Sequence, residues 1–218
     1  MKFNLCTEFA FMTLSAAEVH RLKHAPPVEG VLPVILERWS ARSFADRDVS
    51  PADLKKVFEA ARWTASAFNA QPWRFLVGVR NSLTYKKIFS VLAPPNQAWA
   101  GAAPVLILGI ANTRFAHNGE IDRHALYDLG AAASYLTLQA AALGLATHQM
   151  AGFDQAGARA AFSIPDDFAL GAVIALGYQG EPTALTVDRL LAMETSPRER
   201  KPLGEFVLAE LGEPADLG

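Results

Sequence analysis

Arg38-Trp39-Ser40-Ala41-Arg42-Ser43-Phe44, read with Ser66-Ala67-Phe68-Asn69-Ala70-Gln71-Pro72-Trp73-Arg74-Phe75, decides how this chain is understood. The first stretch sets Arg38, Ser40 and Arg42 at alternate positions. Alternate side chains of an extended segment point the same way. Two guanidinium groups and a hydroxyl then converge from one short piece of chain, a donor set suited to a phosphate dianion. A helix continuing through Arg42 would turn Ser40 ~200° away from Arg38 and destroy the convergence. The reading therefore requires the helix to stop near Arg38, which Trp39 and the polar run after it allow. In the second stretch Asn69 and Gln71 repeat the alternate spacing. Pro72 is expected to push Gln71 toward an extended backbone, and the small residues at 64–67 let a flat ring approach the main chain. Carboxamides both donate and accept, which suits a heterocycle edge carrying C=O and N–H groups.

Taken singly, each motif has a plainer explanation. Arginines are common at helix ends, and Asn69 could bond its own backbone in a loop before a strand. Arg198, Arg200 and Lys201 form a second basic cluster with the features of a solvated tail. Their interest is as a second jaw on the phosphate gripped by Arg38 and Ser40. Phosphate at one end and an amide-edged ring at the other describe flavin mononucleotide (FMN).

The bulk properties set the frame. Of 218 residues, 51% are hydrophobic and 19% charged, with a formal net charge of −2. Such a chain has a substantial core, with apolar surface left for a dimer interface, and lacks the basic excess of a nucleic-acid binder. Cys6 is the single cysteine, so no internal disulfide or cysteine zinc site forms. A reducing, cytoplasmic location is expected. Glu8 interrupts the N-terminal apolar run, which makes a poor signal peptide, and no run approaches the ~20 residues of a membrane span.

Along the chain, 16–23 and 31–38 read as short helices. Ser50 caps a third, with Pro51 in its first position and Asp53 in its first turn. Residues 74–80, 104–111 and 169–178 read as apolar strands of a sheet covered on both faces. Residues 122–143 form the longest helix, with so little polar surface that it is expected to be buried nearly all round, and Gly144 ends it. Asp154 caps a further helix reaching Phe162. No linker or repeat divides the chain. GxGxxG, P-loop and GxSxG patterns are absent. His20 and His24 share a helix face without a third metal ligand. His148 has two readings, pocket lining or a hydrogen-bonded structural role.

ERWSARSF (37–44), ASAFNAQPWRF (65–75), ALGLATHQMAGFD (142–154), ALGYQGEP (175–182) and RERKPLGEF (198–206), five motifs in order, resemble the FMN-dependent nitroreductase family. The resemblance implies a dimeric α+β fold: three layers, α/β/α, around a mixed, largely antiparallel central sheet. Residues 31–218 would be a single FMN-binding domain whose C-terminal segment embraces the partner subunit. Residues 1–30 would be an extension with no assigned role. It further implies that Arg38 and Ser40, with Trp39 between them, meet the phosphate, and that Arg42 lies near the pyrimidine N1/O2 edge. Asn69 and Gln71 would approach the ring, Ala151 and Gly152 would present backbone N–H groups to N5 and O4, and Arg198 and Arg200 would be the C-terminal phosphate pair, Arg200 the safer assignment. No side chain is assigned as catalytic, and no metal is expected.

The activity implied is hydride transfer from NADH or NADPH through the flavin to a small conjugated acceptor, a nitroaromatic or a quinone, with ping-pong kinetics. Alternatives on the same scaffold are FMN-dependent oxidation of a biosynthetic intermediate and non-catalytic flavin binding. Gln149-Met150-Ala151 departs from the run many relatives carry, as does Gln179 where proline often follows the tyrosine.

Overall fold

The computed structural model describes residues 14–217. The elements are α1 (Ala16–Lys23), α2 (Pro33–Glu37), α3 (Pro51–Arg62), β1 (Trp73–Val79), α4 (Leu83–Ser90), α5 (Pro94–Ala100), β2 (Val105–Asn112), α6 (Ala125–Ala142), β3 (Ala146–Met150), α7 (Gln155–Phe162), β4 (Phe168–Gly177), α8 (Asp188–Thr195), β5 (Leu208–Glu210) and β6 (Glu213–Pro214). Four strands form the main sheet in the order β1-β2-β4-β3, and all three pairings are antiparallel. A separate two-stranded ribbon, β5-β6, lies near the C-terminus.

Side-chain alternation along β2 explains the layering. Leu106, Leu108 and Ile110 pack on one face with Tyr85, Ile88, Trp99 and Ala158 from α4, α5 and α7. Val105, Ile107 and Ala111 pack on the other with Val57 of α3 and Leu129, Ala133 and Leu136 of α6. A strand apolar from Val105 to Ala111 demands that both faces be covered, and the result is the expected α/β/α sandwich.

The local signals behave as their chemistry predicts. The Ser50 hydroxyl accepts the Asp53 N–H at 3.0 Å and starts α3. The Asp154 carboxylate accepts the Gly157 N–H at 3.0 Å and starts α7. Gly144 ends α6 at φ +73°, a left-handed conformation that costs glycine little. The expectation that α6 is buried nearly all round needs correction within one chain. Ala132, Leu136 and Ala140 are buried, but Leu126, Tyr127 and Tyr135 point to solvent. β3, α4, α5 and α8 were not anticipated. β3 (ATHQM) is too polar for an apolar-run criterion, which its place at one edge of the sheet tolerates.

Gly78 lets α4 lie directly on β1. A Cβ there would sit 2.5 Å from the Tyr85 backbone, whereas one at Gly109 would come no closer than 3.4 Å to the Leu129 side chain and 3.6 Å to the Ala172 carbonyl oxygen, both ordinary contacts. Gly78→Ala should therefore cost about 1–3 kcal/mol, and Gly109→Ala markedly less. Thermal unfolding of the two variants would show it, at ~2–4 °C per kcal/mol for a chain of this size. Equal Tm values would refute the close approach.

Candidate cofactor site

The helix stops where convergence requires. α2 ends at Glu37, and Arg38 has φ −59° and ψ 132°. Burial then alternates: Trp39, Ala41 and Ser43 face the interior, while Arg38, Ser40 and Arg42 lie half-buried or exposed on the other side. The segment is fixed between two strands. Phe44 bridges Gln179 just beyond β4, with Ala45 N–H donating to Tyr178 O and Gly180 N–H to Ser43 O, both at 2.9 Å. On the other side His148 of β3 places Nδ1 3.2 Å from Ser40 O and 3.1 Å from Ala41 O.

The C-terminal basic cluster meets this segment within the same chain. Arg198 donates to Arg38 O at 2.6 Å and to Leu36 O. Burial, then the Arg200 charge, lower the Arg38 pKa. Burial, then the Arg38 and Arg200 charges, lower that of Arg198. Among the described residues no carboxylate forms an ion pair with Arg38, Arg198 or Arg200. Three crowded cations without an anion make a phosphate-type site. The two C-terminal arginines differ in role. Arg198 spends two guanidinium nitrogens on backbone carbonyls at the end of α2, so it braces the segment. Among the described residues Arg200 bonds only to the carbonyl of its neighbour Glu199, at 2.7 Å, and it is exposed.

Arg42 lines a cavity of about 450 Å³ with Asn96, Trp99, His148, Leu190 and Met193. Asn96 Nδ2 donates to Gly152 O at 2.9 Å, and Ala93 N–H donates to the same oxygen at 3.0 Å. Ala151 O accepts the Phe153 N–H at 3.1 Å. The Ala151 and Gly152 carbonyls are thus used internally, and their N–H groups make no hydrogen bond among the described residues. Trp39 turns inward, donating Nε1–H to His20 Nδ1 at 3.4 Å. Behind the segment, Trp39 and Arg38 border a second cavity of about 480 Å³ with His20, Arg47, Leu145 and Tyr178. Asn96 and the α8 residues escaped sequence reasoning. The Pro94-Pro95 pair is a helix-start signal for α5 that could have found Asn96, while nothing in the composition of α8 marks it as cavity wall.

Asn69 and Gln71 lie elsewhere. Phe68, Asn69 and Gln71 have φ of +50°, +55° and +48°, so Gln71 is left-handed rather than extended as Pro72 suggested. The alternation argument does not apply to this loop. Its geometry is set by Gln71 N–H donating to Ser66 Oγ at 3.0 Å and Ala67 N–H to Asp128 Oδ2 at 3.0 Å. Left-handed non-glycine residues cost of order 1–2 kcal/mol each, and such strain concentrates at functional sites. Both side chains are exposed, and Phe68 is 87% exposed, edge-on to Phe115. Asp128 ties this loop to the start of α6, whereas Ala141 and Gly144, beside the Arg38 cavity, lie at its end. The helical rise puts the two places ~20 Å apart. Along the sheet, Trp73 pairs with Ala111, while His148 reaches Leu106 through Ala175, a separation of ~17 Å on β2. Within one chain the Asn69/Gln71 loop and Arg42 cannot touch the same ring edge.

The nitroreductase family model matches residues 35–93 and 79–178, and the chain belongs to that family. An NADH dehydrogenase of Thermus thermophilus is 30% identical over 218 residues, covering 83% of this chain and 99% of that protein. A Streptomyces coelicolor protein, provisionally named an NADH dehydrogenase/NAD(P)H nitroreductase, is 30% identical over 177 residues, covering 72% and 87%. Among solved structures, a crystal structure described as an oxidoreductase containing FMN superposes with a TM-score of 0.79 at 31% identity, covering 85% of this chain and 94% of that one.

His148 supplies a pH signature. Burial first, then the Arg42 charge, pull its pKa from 6.5 down to about 4. Carbonyl oxygens only accept, so Nδ1 must carry the proton of a neutral ring. Between pH 6.5 and about 4 the unfolded chain binds the extra proton and the folded chain does not. The neutral-His148 contribution is therefore full above pH 6.5 and is lost as pH falls toward 4, on the order of 2–3 kcal/mol. Chemical denaturation from pH 7.5 to 4.5 should show a shallower loss of stability in His148→Gln than in the parent. Parallel profiles would place the proton uptake elsewhere.

Proposed function

We propose that this protein is an FMN-dependent oxidoreductase that takes hydride from NADH or NADPH and passes it to a small conjugated acceptor, a nitroaromatic or a quinone, in alternating half-reactions. One observation carries the reading: arginines 160 residues apart in sequence meet in one chain as a cationic cluster with no carboxylate partner among the described residues, on the segment whose Arg42 lines a cavity of about 450 Å³. Arg38, Ser40 and Arg200 hold the phosphate, and Arg198 braces the carbonyls behind it. Trp39 anchors the segment from within. The Arg42 cation would meet the N1/O2 edge, where a positive charge would favour the reduced, anionic ring. The Ala151 and Gly152 N–H groups orient N5 and O4. Bound flavin supplies the hydride-accepting and hydride-donating chemistry, and no metal takes part.

The acting unit in this reading is a homodimer. Leu126, Tyr127 and Tyr135 expose an apolar face of α6, and an antiparallel twofold along that helix brings the Asn69/Gln71 loop of one copy to the Arg42 end of the other. Each site is then assembled from two chains, with the C-terminal segment beyond α8 lying against the partner. A cytoplasmic location fits the single cysteine. Among the described residues no helix is long and apolar enough to cross a membrane.

The purified protein should be yellow, release FMN on denaturation, and bleach when NADH or NADPH is added anaerobically. Protein that stays colourless after incubation with FMN would end the assignment. Arg38→Ala and Arg200→Ala should each weaken FMN binding about 10- to 100-fold, the loss of one charge-assisted contact, measured by quenching of flavin fluorescence. Tyr135→Asp should shift sedimentation toward monomer and lower FMN affinity in parallel. A monomer that keeps full affinity would show that one chain suffices.

A further inference from the structure

The described part of the N-terminal extension is not idle. α1 is tied to α8 and to the chain after β4. Lys23 Nζ donates to Met193 O at 2.8 Å, Ala16 N–H donates to Glu181 Oε2 at 2.8 Å, and Gln179 Nε2 donates to Ala16 O at 2.9 Å. His20 holds the Trp39 indole, and the Lys23 ammonium lies 5.1 Å from its ring centroid. The next residue of α8, Glu194, is 1% exposed and Lys23 is 5% exposed. Buried charges persist only where something specific satisfies them.

What satisfies Glu194 is the backbone of the cofactor segment. Its Oε1 accepts the Arg42 N–H at 2.9 Å and the Ser43 N–H at 3.0 Å, and Oε2 lies 3.1 Å from the Arg42 N–H. Every one of these contacts is an acceptor contact. The carboxylate thus locks the peptide from which the Arg42 side chain springs. Burial raises the Glu194 pKa, while the two backbone N–H groups and then the Arg42 and Lys23 charges act the other way and favour the carboxylate; Met193, its neighbour, lines the same cavity as Arg42.

We propose that Glu194, backed by Lys23 from α1, is a positioning residue that fixes Arg42 at the flavin ring and trims the positive potential there, so that α1 acts on the redox behaviour of the site. This rests on the FMN reading above. Two separable effects follow. The hydrogen bonds hold the segment, and a single amide oxygen can keep the two short ones, because Oε1 already takes both. The negative charge opposes the extra electrons of the reduced ring, whereas Lys23 favours them.

The test uses the full chain loaded with FMN, with two readouts: FMN dissociation by fluorescence and midpoint potential by anaerobic spectrophotometric titration against a reference dye. Glu194→Gln should keep FMN within about threefold of the parent affinity while moving the oxidised–reduced equilibrium about tenfold toward reduced, ~30 mV positive for a two-electron couple. Lys23→Met should move it in the opposite direction. Glu194→Ala, which frees both N–H groups, should weaken FMN binding tenfold or more. If that variant fails to fold, the Gln and Met pair still decides. Unchanged potentials in that pair, or shifts of one sign in both, would overturn the inference while leaving a flavin-binding parent intact. A parent that never takes up flavin would instead remove the reading beneath it, and the inference with it.

Discussion

Like charges must be forced together, and the site depends on how this is done. Arg38, Arg198 and Arg200 crowd the end of α2, where among the described residues no carboxylate pairs with them. Backbone makes the crowding tolerable. The last carbonyls of a helix lack internal partners and carry the negative end of its dipole, and Arg198 sits on two carbonyls at that end. A five-residue helix contributes little packing of its own. Its value lies in stopping early, so that a cation is held by its carbonyls and the next cations face outward.

The surroundings keep that segment in register from three directions. The exit of β4 pairs with residues 43–45, β3 offers the His148 ring, and α8 inserts a buried carboxylate. Gly180 is needed for the first contact, since a Cβ there would fall 2.5 Å from the Phe44 carbonyl carbon. The sheet and its two helical layers are a frame that brings residues near positions 40, 150 and 195 together. The polar contacts at their meeting point come from main chain as much as from side chains.

How much of this was legible in the sequence follows from how local each signal is. Ser50 with Pro51, Asp154 and Gly144 announce helix ends through nearest neighbours, and they read correctly. The apolar strands β1, β2 and β4 announce themselves by composition. The Arg-Ser-Arg alternation was legible because it needs only a helix stop and an extended step, and α2 stops at Glu37. Gln71 misled because the local preference imposed by Pro72 is weaker than a loop closed by the Ser66 hydroxyl and anchored by Asp128. β3 and Glu194 were silent for another reason. An edge strand tolerates polar residues, and a buried glutamate is known only through partners about 150 positions away.

The strained 66–71 loop and the arginine cluster occupy opposite ends of α6. In the proposed antiparallel pair of chains, the two halves of any one cradle would be encoded in different copies. A lesion confined to the loop and a lesion confined to the arginines would then complement each other: a mixed pair keeps one cradle made wholly of sound halves and one made wholly of damaged halves. Two defective alleles expressed together would restore a share of the activity that neither gives alone, a behaviour that follows from the length of one helix.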